Sequence, residues 1–402
     1  MHPFAAAVLR TLQSLSLPQP PLGGNDASHG DTKKDFAFLS FLHNNCYLAE
    51  HKQQFISTSM KIKSVILSAV AAVCATTAAL PCSRVVLHSD SLTVVGRTLD
   101  WRTPIPTILY VYPQGLKKQG MPEGNTYHWT AKYGSVIAVS YDGGVTEGMN
   151  ERGLVMNALF CKGSVYPTSN NGKIPALSLA VFVSYFLDNF ATVDEVKNWL
   201  DNNKFAIYGA SFDQGTTAAL HWAVTDTTGK TLIMEFQNGN LDVYVSDQYT
   251  ALTNDPPFNQ MLAINDYWKQ VGGQNMLPGT VRSPDRFVRA SFFIGHVPTN
   301  VSHKQAVAEV LSVLANVSVP LGYEMPDAPN LSSTQWKSVA DAGNRVYYFG
   351  FTNQFSVFNI DLAALNLKTG APVLRLDTVN QTELHGCVNE LLTPSQPFKP
   401  MW

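Results

Sequence analysis

The stretch CSRVVLHSDSLTVVGRTLDW, residues 82–101, consists of two runs rich in Val, Leu and Thr on either side of a His-Ser-Asp-Ser segment. Runs of this kind, bounded by turn residues, predict β-strands at 83–88 and 92–98. Side chains alternate between the two faces of a strand, so Arg97 is expected on one face and Asp100 on the other unless the strand ends or bulges there.

After these two strands, the chain alternates between blocks of strands and blocks of helices. Strand-like segments rich in Val, Ile and Tyr are predicted at 107–112, 135–141, 153–160, 217–225, 231–237, 241–246, 249–253, 345–351 and 354–360. Helices are predicted at 176–190, 192–200, 258–271, 284–296 and 304–316. Strands grouped in blocks favour an α+β fold with antiparallel sheets over a doubly wound α/β fold.

The composition is typical of a globular protein with a large apolar core. Hydrophobic residues make up 45% of the 402 residues and charged residues only 14%, which excludes a disordered or coiled-coil chain. The net charge of −2 gives no basic excess to neutralise a phosphate backbone, so no nucleic-acid partner is expected. The apolar segment 176–190 is too short to anchor the chain in a membrane and is predicted to be a core helix.

The first 81 residues divide into two parts. Residues 1–59 show no sustained period and are interpreted as an upstream extension rather than a domain. Met60 opens MKIKSVILSAVAAVCATTAALPC, in which two lysines precede a short apolar run and a series of small residues. This order is typical of a secretory signal peptide, so 60–81 is predicted to be removed on export to the periplasm or outside the cell. The mature catalytic domain would then be 82–402, beginning with Cys82.

Several common catalytic motifs are absent from the sequence: G-x-S-x-G, H-E-x-x-H, C-x-x-C and a G-x-G-x-x-G after a strand. The six histidines after Cys82 are not paired at metal-ligand spacing. No metal site and no cofactor are therefore expected. Cys161 and Cys387 could form a disulfide in an oxidising compartment, but the sequence does not fix their separation.

A cysteine that becomes the first residue of a mature chain has a thiol and an α-amine on the same residue. An unperturbed α-amine titrates at about 7.7–8.0, so it can act as a general base near neutral pH. A neighbouring guanidinium such as Arg97 would favour the thiolate, and a carboxylate such as Asp100 could hold the amine in place. The alternative is a buried structural cysteine beside an unrelated strand arginine. The chemistry of these residues alone does not decide between the two.

Five short motifs occur in an order that resembles one known family. They are Cys82, Gly96-Arg-Thr-Leu-Asp-Trp101, Glu147-Gly-Met-Asn-Glu-Arg-Gly-Leu154, Leu252-Thr-Asn-Asp-Pro256 and Ser283-Pro-Asp-Arg-Phe287. Together they resemble the choloylglycine hydrolase family, which comprises conjugated bile salt hydrolases and penicillin V acylases. The resemblance extends to about residue 358. It implies an N-terminal nucleophile (Ntn) hydrolase with an αββα sandwich, in which two antiparallel sheets lie between helical layers. The signal-like segment and the Asp-Trp pair resemble the periplasmic, Gram-negative-type branch.

The resemblance also implies roles for individual residues. Cys82 is the expected nucleophile, Arg97 the arginine that tunes the thiol, and Asp100 the carboxylate that holds the α-amine. Asn254 matches the asparagine whose side-chain amide donates to the oxyanion. Arg286 matches the arginine that completes the charged network near the thiol.

Three further positions are less fully defined. Phe160 stands where the family has Asn or Tyr as a second oxyanion residue. That residue is expected to donate through its backbone N–H, so a Phe can serve there while changing the pocket wall. Trp101 is expected either to form a wall of the pocket or to be ordinary core. Asn150 is expected to satisfy backbone groups of a turn.

The sequence thus predicts a cysteine amidase that hydrolyses a linear amide of a bulky apolar acyl group, similar to penicillin V acylase. Conjugated bile salts and acyl-homoserine lactones are alternative substrates. A ceramidase-like amidase and a non-catalytic binding protein are further alternatives. The expected partners are a small-molecule amide and, as the resemblance implies, further copies of the chain in a homotetramer. Stable membrane insertion is not expected.

Overall fold

The computed structural model describes residues 82–402 apart from 210, 213–215, 325–331 and 382. These residues belong to one compact unit of the chain, Thr76–Trp402. The predicted extension and signal segment, 1–59 and 60–81, lie outside the described residues. Within the described ranges, no helix has the length and hydropathy that a membrane crossing needs.

Strands and helices occur in blocks along the chain. The described strands are β1 (Cys82–Ser89), β2 (Leu92–Trp101), β3 (Thr107–Tyr112), β4 (Lys117–Gln119), β5 (His128–Thr130), β6 (Ser135–Ser140), β7 (Gly144–Asn150), β8 (Val155–Phe160), β9 (Ala176–Ser178), β10 (Ala206–Tyr208), β11 (Ser211–Phe212), β12 (Thr216–Thr217), β13 (Leu220–Thr225), β14 (Thr231–Gln237), β15 (Asn240–Ser246), β16 (Ala251–Leu252), β17 (Ser333–Asp341), β18 (Val346–Phe351), β19 (Phe358–Asp361), β20 (Val373–Leu376), β21 (Gly386–Cys387) and β22 (Thr393–Ser395). The α-helices are α1 (Leu179–Asn189), α2 (Val193–Asn202), α3 (Phe258–Val271), α4 (Ser283–Ile294) and α5 (His303–Val317).

Two large sheets form the centre of the fold. The described strands of the first sheet follow the order β16-β1-β2-β17-β18-β19-β21, and those of the second follow β15-β14-β13-β8-β7-β6-β3-β20-β22. Neighbouring strands are antiparallel, except that β19 and β21 pair in parallel. Helices α4 and α5 cover the outer face of the first sheet, with α3 beside α4, and α1 and α2 cover the second sheet. This is the αββα sandwich of an Ntn hydrolase, as the sequence resemblance implied.

An apolar layer fills the space between the two sheets. Side chains of β2 and β18, such as Val95 and Tyr347, meet side chains of β6 and β7, such as Val136 and Met149. On the far side of the second sheet, α1 is buried on nearly all its faces, as its continuous apolar sequence predicted. The helix begins later than expected because 176–178 form β9, which pairs with β10. The Ser178 side chain caps the helix by accepting a hydrogen bond from the backbone N–H of Ala180.

A glycine in β2 allows a helix to approach the first sheet closely. A Cβ atom built on Gly96 would lie 2.4 Å from Val310 Cγ1 and 2.9 Å from Leu314 Cδ1, both in α5. No larger residue fits at this position without displacement of the helix. Arg97 follows directly, and its side chain points to the opposite face, into the space between the sheets.

Several strands were not predicted from the sequence, among them β7 and β17 of the two large sheets. β7 ends in the first half of the segment 148–153, which was interpreted as a turn, and β17 is central in the first sheet. The expected role of Asn150, the last residue of β7, is confirmed. Its Oδ1 accepts hydrogen bonds from the backbone N–H groups of Arg152 and Leu154, both at 3.0 Å, and these bonds hold the turn that leads to β8.

Candidate active site

Cys82 is the first residue of β1 and lies opposite Leu99 of β2. Its relative exposure is 4%, and it lines a cavity at the end of these two strands. The thiol Sγ lies 4.0 Å from the backbone carbonyl oxygen of Asp100. The backbone N–H of Cys82 donates a hydrogen bond to Asn254 Oδ1. The residue expected to be the nucleophile is therefore held at a cavity wall by its backbone.

Arg97 and Asp100 both lie on the wall of this cavity, although simple alternation places them on opposite faces of β2. The pairing of β2 with β17 shifts by one residue between Thr334 and Trp336, so Gln335 is an extra residue opposite the end of β2. A bulge increases the local twist of the strands. The bulge is in β17, opposite the last residues of β2, and β2 itself ends at Trp101. The end of the strand is one of the two conditions under which the sequence analysis allowed the side chains to converge.

The Asp100 carboxylate is buried and only partly satisfied. Oδ2 accepts a hydrogen bond of 3.2 Å from Thr98 Oγ1, whereas Oδ1 has no hydrogen-bond partner among the described residues. Burial raises the pKa of Asp100 to about 6, although the neighbouring Arg286 guanidinium opposes the shift. Because a buried carboxylate oxygen normally accepts a hydrogen bond, Oδ1 is suited to a donor that is introduced beside Cys82.

A buried ion pair connects Arg97 to the second sheet. Arg97 Nη1 donates to Glu147 Oε2 of β7 at 3.0 Å, and both side chains are almost fully buried. The Glu147 carboxylate also accepts hydrogen bonds from Asn157, Ser338 and Tyr347. Burial alone would lower the pKa of Arg97, but the Glu147 carboxylate and the Cys82 thiol raise it. Arg97 therefore remains positively charged beside Cys82.

Arg84 is a third buried cation near the site, after Arg97 and Arg286, and the sequence analysis missed it. Its Nε donates to Asn157 Oδ1 at 2.7 Å, and its Nη2 donates to Thr225 Oγ1 at 2.6 Å. Burial lowers the pKa of Arg84 to about 9. The alternation of side chains along a strand could have indicated this residue. Residues two apart in a strand share a face, so Arg84 lies on the same face of β1 as Cys82.

Arg286 of α4 joins the start of β1 to the loop that follows β16. Its Nη1 donates to the backbone carbonyl of Cys82 at 2.6 Å and to Ser83 Oγ, and its Nη2 donates to Asn254 Oδ1 at 2.9 Å. Burial lowers the pKa of Arg286 to about 10, so the group stays charged at neutral pH. The structure thus brings Arg286 together with Cys82 and Asn254, as the motifs indicated.

Phe160 and Asn254 meet on one side of Cys82. Asn254 Nδ2 donates to the Phe160 carbonyl at 2.8 Å, and a side-chain amide carries a second N–H. Phe160 pairs with Leu220 across β8 and β13, while the next N–H, of Cys161, bonds to the carbonyl of Ala219. That pattern makes Phe160 and Leu220 a non-hydrogen-bonded pair, so the Phe160 N–H points away from β13.

The rest of the cavity wall is mainly apolar. Trp101 lies on this wall, and its ring contacts the Phe160 ring edge to face, with centroids 6.0 Å apart. Met401 near the end of the chain also lines the cavity, and its backbone N–H donates to the Gly143 carbonyl at 2.9 Å. Other lining residues are Leu99, Ile105, Tyr141, Val145, Ala158, Leu179 and Leu220. Among the described residues of the wall, Arg97 and Asp100 are the charged ones.

The disulfide that the sequence left open is not formed. Cys161 is buried directly after β8, whereas Cys387 is exposed in β21, and both thiols are free. Neither thiol lines the cavity that contains Cys82.

Comparisons with known proteins agree with this geometry. The model of the linear amide C–N hydrolases, choloylglycine hydrolase family, matches residues 82–380. The chain belongs to this family. It is 37% identical over 371 residues to a penicillin V acylase of Pectobacterium atrosepticum, an alignment that covers 86% of this chain and 99% of that protein. It is 26% identical to a bile salt hydrolase/transferase of Clostridium perfringens, over 69% of this chain and 91% of that protein.

Solved structures of family members share the fold. The structure of a penicillin V acylase from Agrobacterium tumefaciens is 41% identical, covers 79% of this chain and 99% of its own, and superposes with a TM-score of 0.73. A conjugated bile acid hydrolase from Clostridium perfringens, 22% identical, shares the fold with a TM-score of 0.62. The protein is thus a hydrolase of linear amide C–N bonds, and the family match begins at Cys82.

The buried ion pair gives a prediction about stability. Glu147→Gln should lower the free energy of unfolding by about 3–5 kcal/mol, because it leaves the Arg97 guanidinium buried without its counter-charge. The matched control is Asp201→Asn, which breaks the exposed Lys197–Asp201 pair and should cost no more than about 0.5 kcal/mol. Urea denaturation of both variants measures the difference. Equal losses in the two variants would show that the pair does not stabilise the sandwich.

Proposed function

We propose that Cys82 is the N-terminal nucleophile of a penicillin V acylase-like amidase. The observation that carries the proposal is the position of Cys82 on an apolar cavity, with the unpaired Asp100 Oδ1 on the same wall. When the chain starts at Cys82, its backbone N becomes an α-amine, and Asp100 supplies an acceptor for it. The beginning of the family match at residue 82 supports this assignment.

The first half of the reaction forms a thioester. The α-amine of Cys82 takes the thiol proton, and the thiolate sulfur attacks the amide carbonyl carbon. The Phe160 N–H and the second N–H of Asn254 Nδ2 stabilise the resulting oxyanion, each worth about 2.7–4 kcal/mol in comparable sites. As the intermediate collapses, the C–N bond breaks and the α-ammonium gives its proton to the leaving nitrogen, which departs as a free amine.

The second half of the reaction returns the free enzyme. The α-amine, again neutral, takes a proton from water as the water oxygen attacks the thioester carbonyl. Collapse breaks the C–S bond, releases a carboxylic acid and returns the proton to the thiol. Arg97 and Arg286 interact electrostatically with Cys82, so they stabilise the negative charge that develops on the reacting atoms in both halves.

The wall of the cavity supports a flat, apolar acyl group. Trp101, Tyr141 and Phe160 provide aromatic surfaces, and an aryl ring such as that of a phenoxyacetyl group stacks well on such surfaces. The similarity to penicillin V acylases over nearly the whole described chain supports the same substrate class. Conjugated bile salts are the second candidate, supported by the similarity to a bile salt hydrolase/transferase.

A panel assay decides between these substrates. Purified enzyme would be offered penicillin V, glycocholate, taurocholate and a long-chain acyl-homoserine lactone at equal concentrations. The highest kcat/KM is expected for penicillin V. A higher value for either bile salt would replace the first candidate with the second.

The proposal includes export and processing before Cys82, and assembly as a homotetramer. Export and processing rest on the sequence pattern of 60–81, and the homotetramer rests on the family resemblance. Intact-mass analysis of enzyme produced with its leader should give a chain that starts at Cys82. Active enzyme with further residues in front of Cys82 would contradict the α-amine mechanism.

The nucleophile assignment predicts the effect of removing each thiol. Cys82→Ser should lower kcat by about 10³-fold or more in a folded protein, because a serine hydroxyl is far less ionised near neutral pH. Cys387→Ser removes an exposed thiol and should leave kcat unchanged. Steady-state assays, with circular dichroism to confirm folding, measure both. Undiminished turnover in Cys82→Ser would exclude this cysteine as the nucleophile.

The two oxyanion donors should differ in their response to mutation. Asn254→Ala removes a side-chain donor and should lower kcat by about 10²–10³-fold. Phe160→Asn keeps the backbone N–H, so kcat should stay within about tenfold, while the acyl preference changes with the wall. Single-turnover acylation rates compare the two variants. If Phe160→Asn is as damaging as Asn254→Ala, the backbone of Phe160 is not the donor.

The raised pKa of Asp100 predicts the acid side of the pH profile. The ionised carboxylate is the acceptor for the α-amine. We therefore expect kcat/KM to have its full value above the pKa of Asp100 and to fall as the pH falls through about 6. Asp100→Asn should lower kcat/KM throughout and remove this acid limb. If the Asp100→Asn variant keeps an acid limb with the same midpoint, the titration of another group causes that limb.

A further inference from the structure

A cluster of three side chains lies outside the set of residues that line the cavity. We call Cys161, His221 and Glu235 the Cys161 cluster. All three are buried, and one sulfur, nitrogen or oxygen atom from each lies within 4.8 Å of the other two. They come from the end of β8, from β13 and from β14, which are neighbours in the second sheet. Because the three strands are separate in sequence, no ligand-spacing motif reveals the cluster.

The imidazole in the cluster is held in one orientation. The register that pairs Trp222 with Met234 brings His221 opposite Glu235, and His221 Nδ1 lies 2.8 Å from Glu235 Oε1. The other carboxylate oxygen, Oε2, accepts the backbone N–H of Phe258 at 2.9 Å. When the imidazole is neutral, a carboxylate that accepts the N–H of one ring nitrogen leaves the other nitrogen with a lone pair. That lone pair can bind a metal ion.

That opposite nitrogen is unsatisfied. His221 is fully buried, and its Nε2 has no hydrogen-bond partner among the described residues. Leaving a buried polar atom without a partner costs about 1–3 kcal/mol. The cost is removed if a cation accepts the lone pair, and the nearby Cys161 thiol can supply a second ligand to the same cation.

Asp255 provides a further oxygen and a route from solvent. Its Oδ1 lies 3.8 Å from Cys161 Sγ, and the residue is half-buried, whereas the three members of the cluster are buried. Sulfur and oxygen ligands of one tetrahedral zinc ion are separated by about 3.5 Å, given metal–ligand distances of about 2.3 and 2.0 Å. The observed 3.8 Å is close to this separation, so the Cys161 sulfur and the Asp255 oxygen can contact a common ion after a small movement.

We propose that the Cys161 cluster, completed by Asp255, binds a divalent ion of the zinc class. Sulfur, imidazole nitrogen and carboxylate oxygen together suit zinc, whereas magnesium and calcium take oxygen ligands. On binding, the ion displaces the Cys161 thiol proton and any proton on His221 Nε2 to solvent, and metal–sulfur and metal–nitrogen bonds form with no change in oxidation state. The site is separate from the cavity that contains Cys82 and would be structural rather than catalytic.

The position of the site connects it to the proposed oxyanion hole. Cys161 follows Phe160 directly, and Asp255 follows Asn254 directly. An ion bound to Cys161 and Asp255 would link the two segments that carry the proposed oxyanion donors. This connection rests on the proposed function, whereas metal binding itself does not.

The test measures metal without measuring activity. The parent is the full chain carrying Cys82→Ser, so that the thiol in the cavity cannot contribute a ligand. After stripping with a chelator, incubation with zinc and dialysis, elemental analysis should give about one zinc per chain. The zinc-loaded protein should also unfold at a higher temperature than the stripped protein. Cobalt in place of zinc should give a near-ultraviolet thiolate-to-metal absorption band.

Two single-thiol variants make the result specific. Cys161→Ser in the same parent should lose the cobalt–thiolate band and the thermal shift, whereas Cys387→Ser, which removes an exposed thiol, should keep both. If Cys161→Ser fails to fold, His221→Gln with the buried thiol retained should still lower zinc occupancy at least tenfold. Occupancy below about a tenth of an ion in the parent, or a cobalt band that survives Cys161→Ser, would overturn the proposal.

Discussion

The Glu147 carboxylate lies between the two sheets with no exposed surface, and it accepts hydrogen bonds from both of them. Removing a carboxylate and a guanidinium from water costs several kcal/mol for each ion, and attraction repays this only when the remaining hydrogen-bonding groups are satisfied. Asn157 of its own sheet satisfies the carboxylate together with Ser338 and Tyr347 of the facing sheet. These hydrogen bonds form in one alignment of the two sheets, and in that alignment Arg97 lies beside Cys82.

Around the Cys82 thiol, buried positive charges outnumber buried negative charges. Among the described side chains of the site, three buried guanidinium groups face two buried carboxylates, those of Glu147 and Asp100. At neutral pH the guanidinium groups are charged, since even the lowest of their pKa values is about 9, and Asp100 is ionised above about 6. An uncompensated cation is costly in a region with little water, so the site favours a group that develops negative charge during the reaction.

Regular patterns in the sequence predicted much of this fold, and buried polar groups account for what was missed. β3 and α3 have the predicted bounds, because 107–112 is rich in β-branched and aromatic residues and 258–271 has a helical period. β17 was missed because its inward side chains are partly polar: Ser338 faces the interior to bind Glu147. The motifs located most of the site, but Arg84 and the Cys161 cluster depend on pairing between strands, which a single sequence does not show.

The burial of Cys82 constrains the order of events in the making of the enzyme. A protease requires an accessible, extended segment around the bond that it cuts. In the folded protein only 4% of Cys82 is exposed, β1 is paired with β2 and β16, and the N–H at the cleavage point is bonded to Asn254. Under the proposed processing, the leader must be removed before the first sheet closes. A chain that folds too early would be a dead-end precursor with a complete cavity and no free amine.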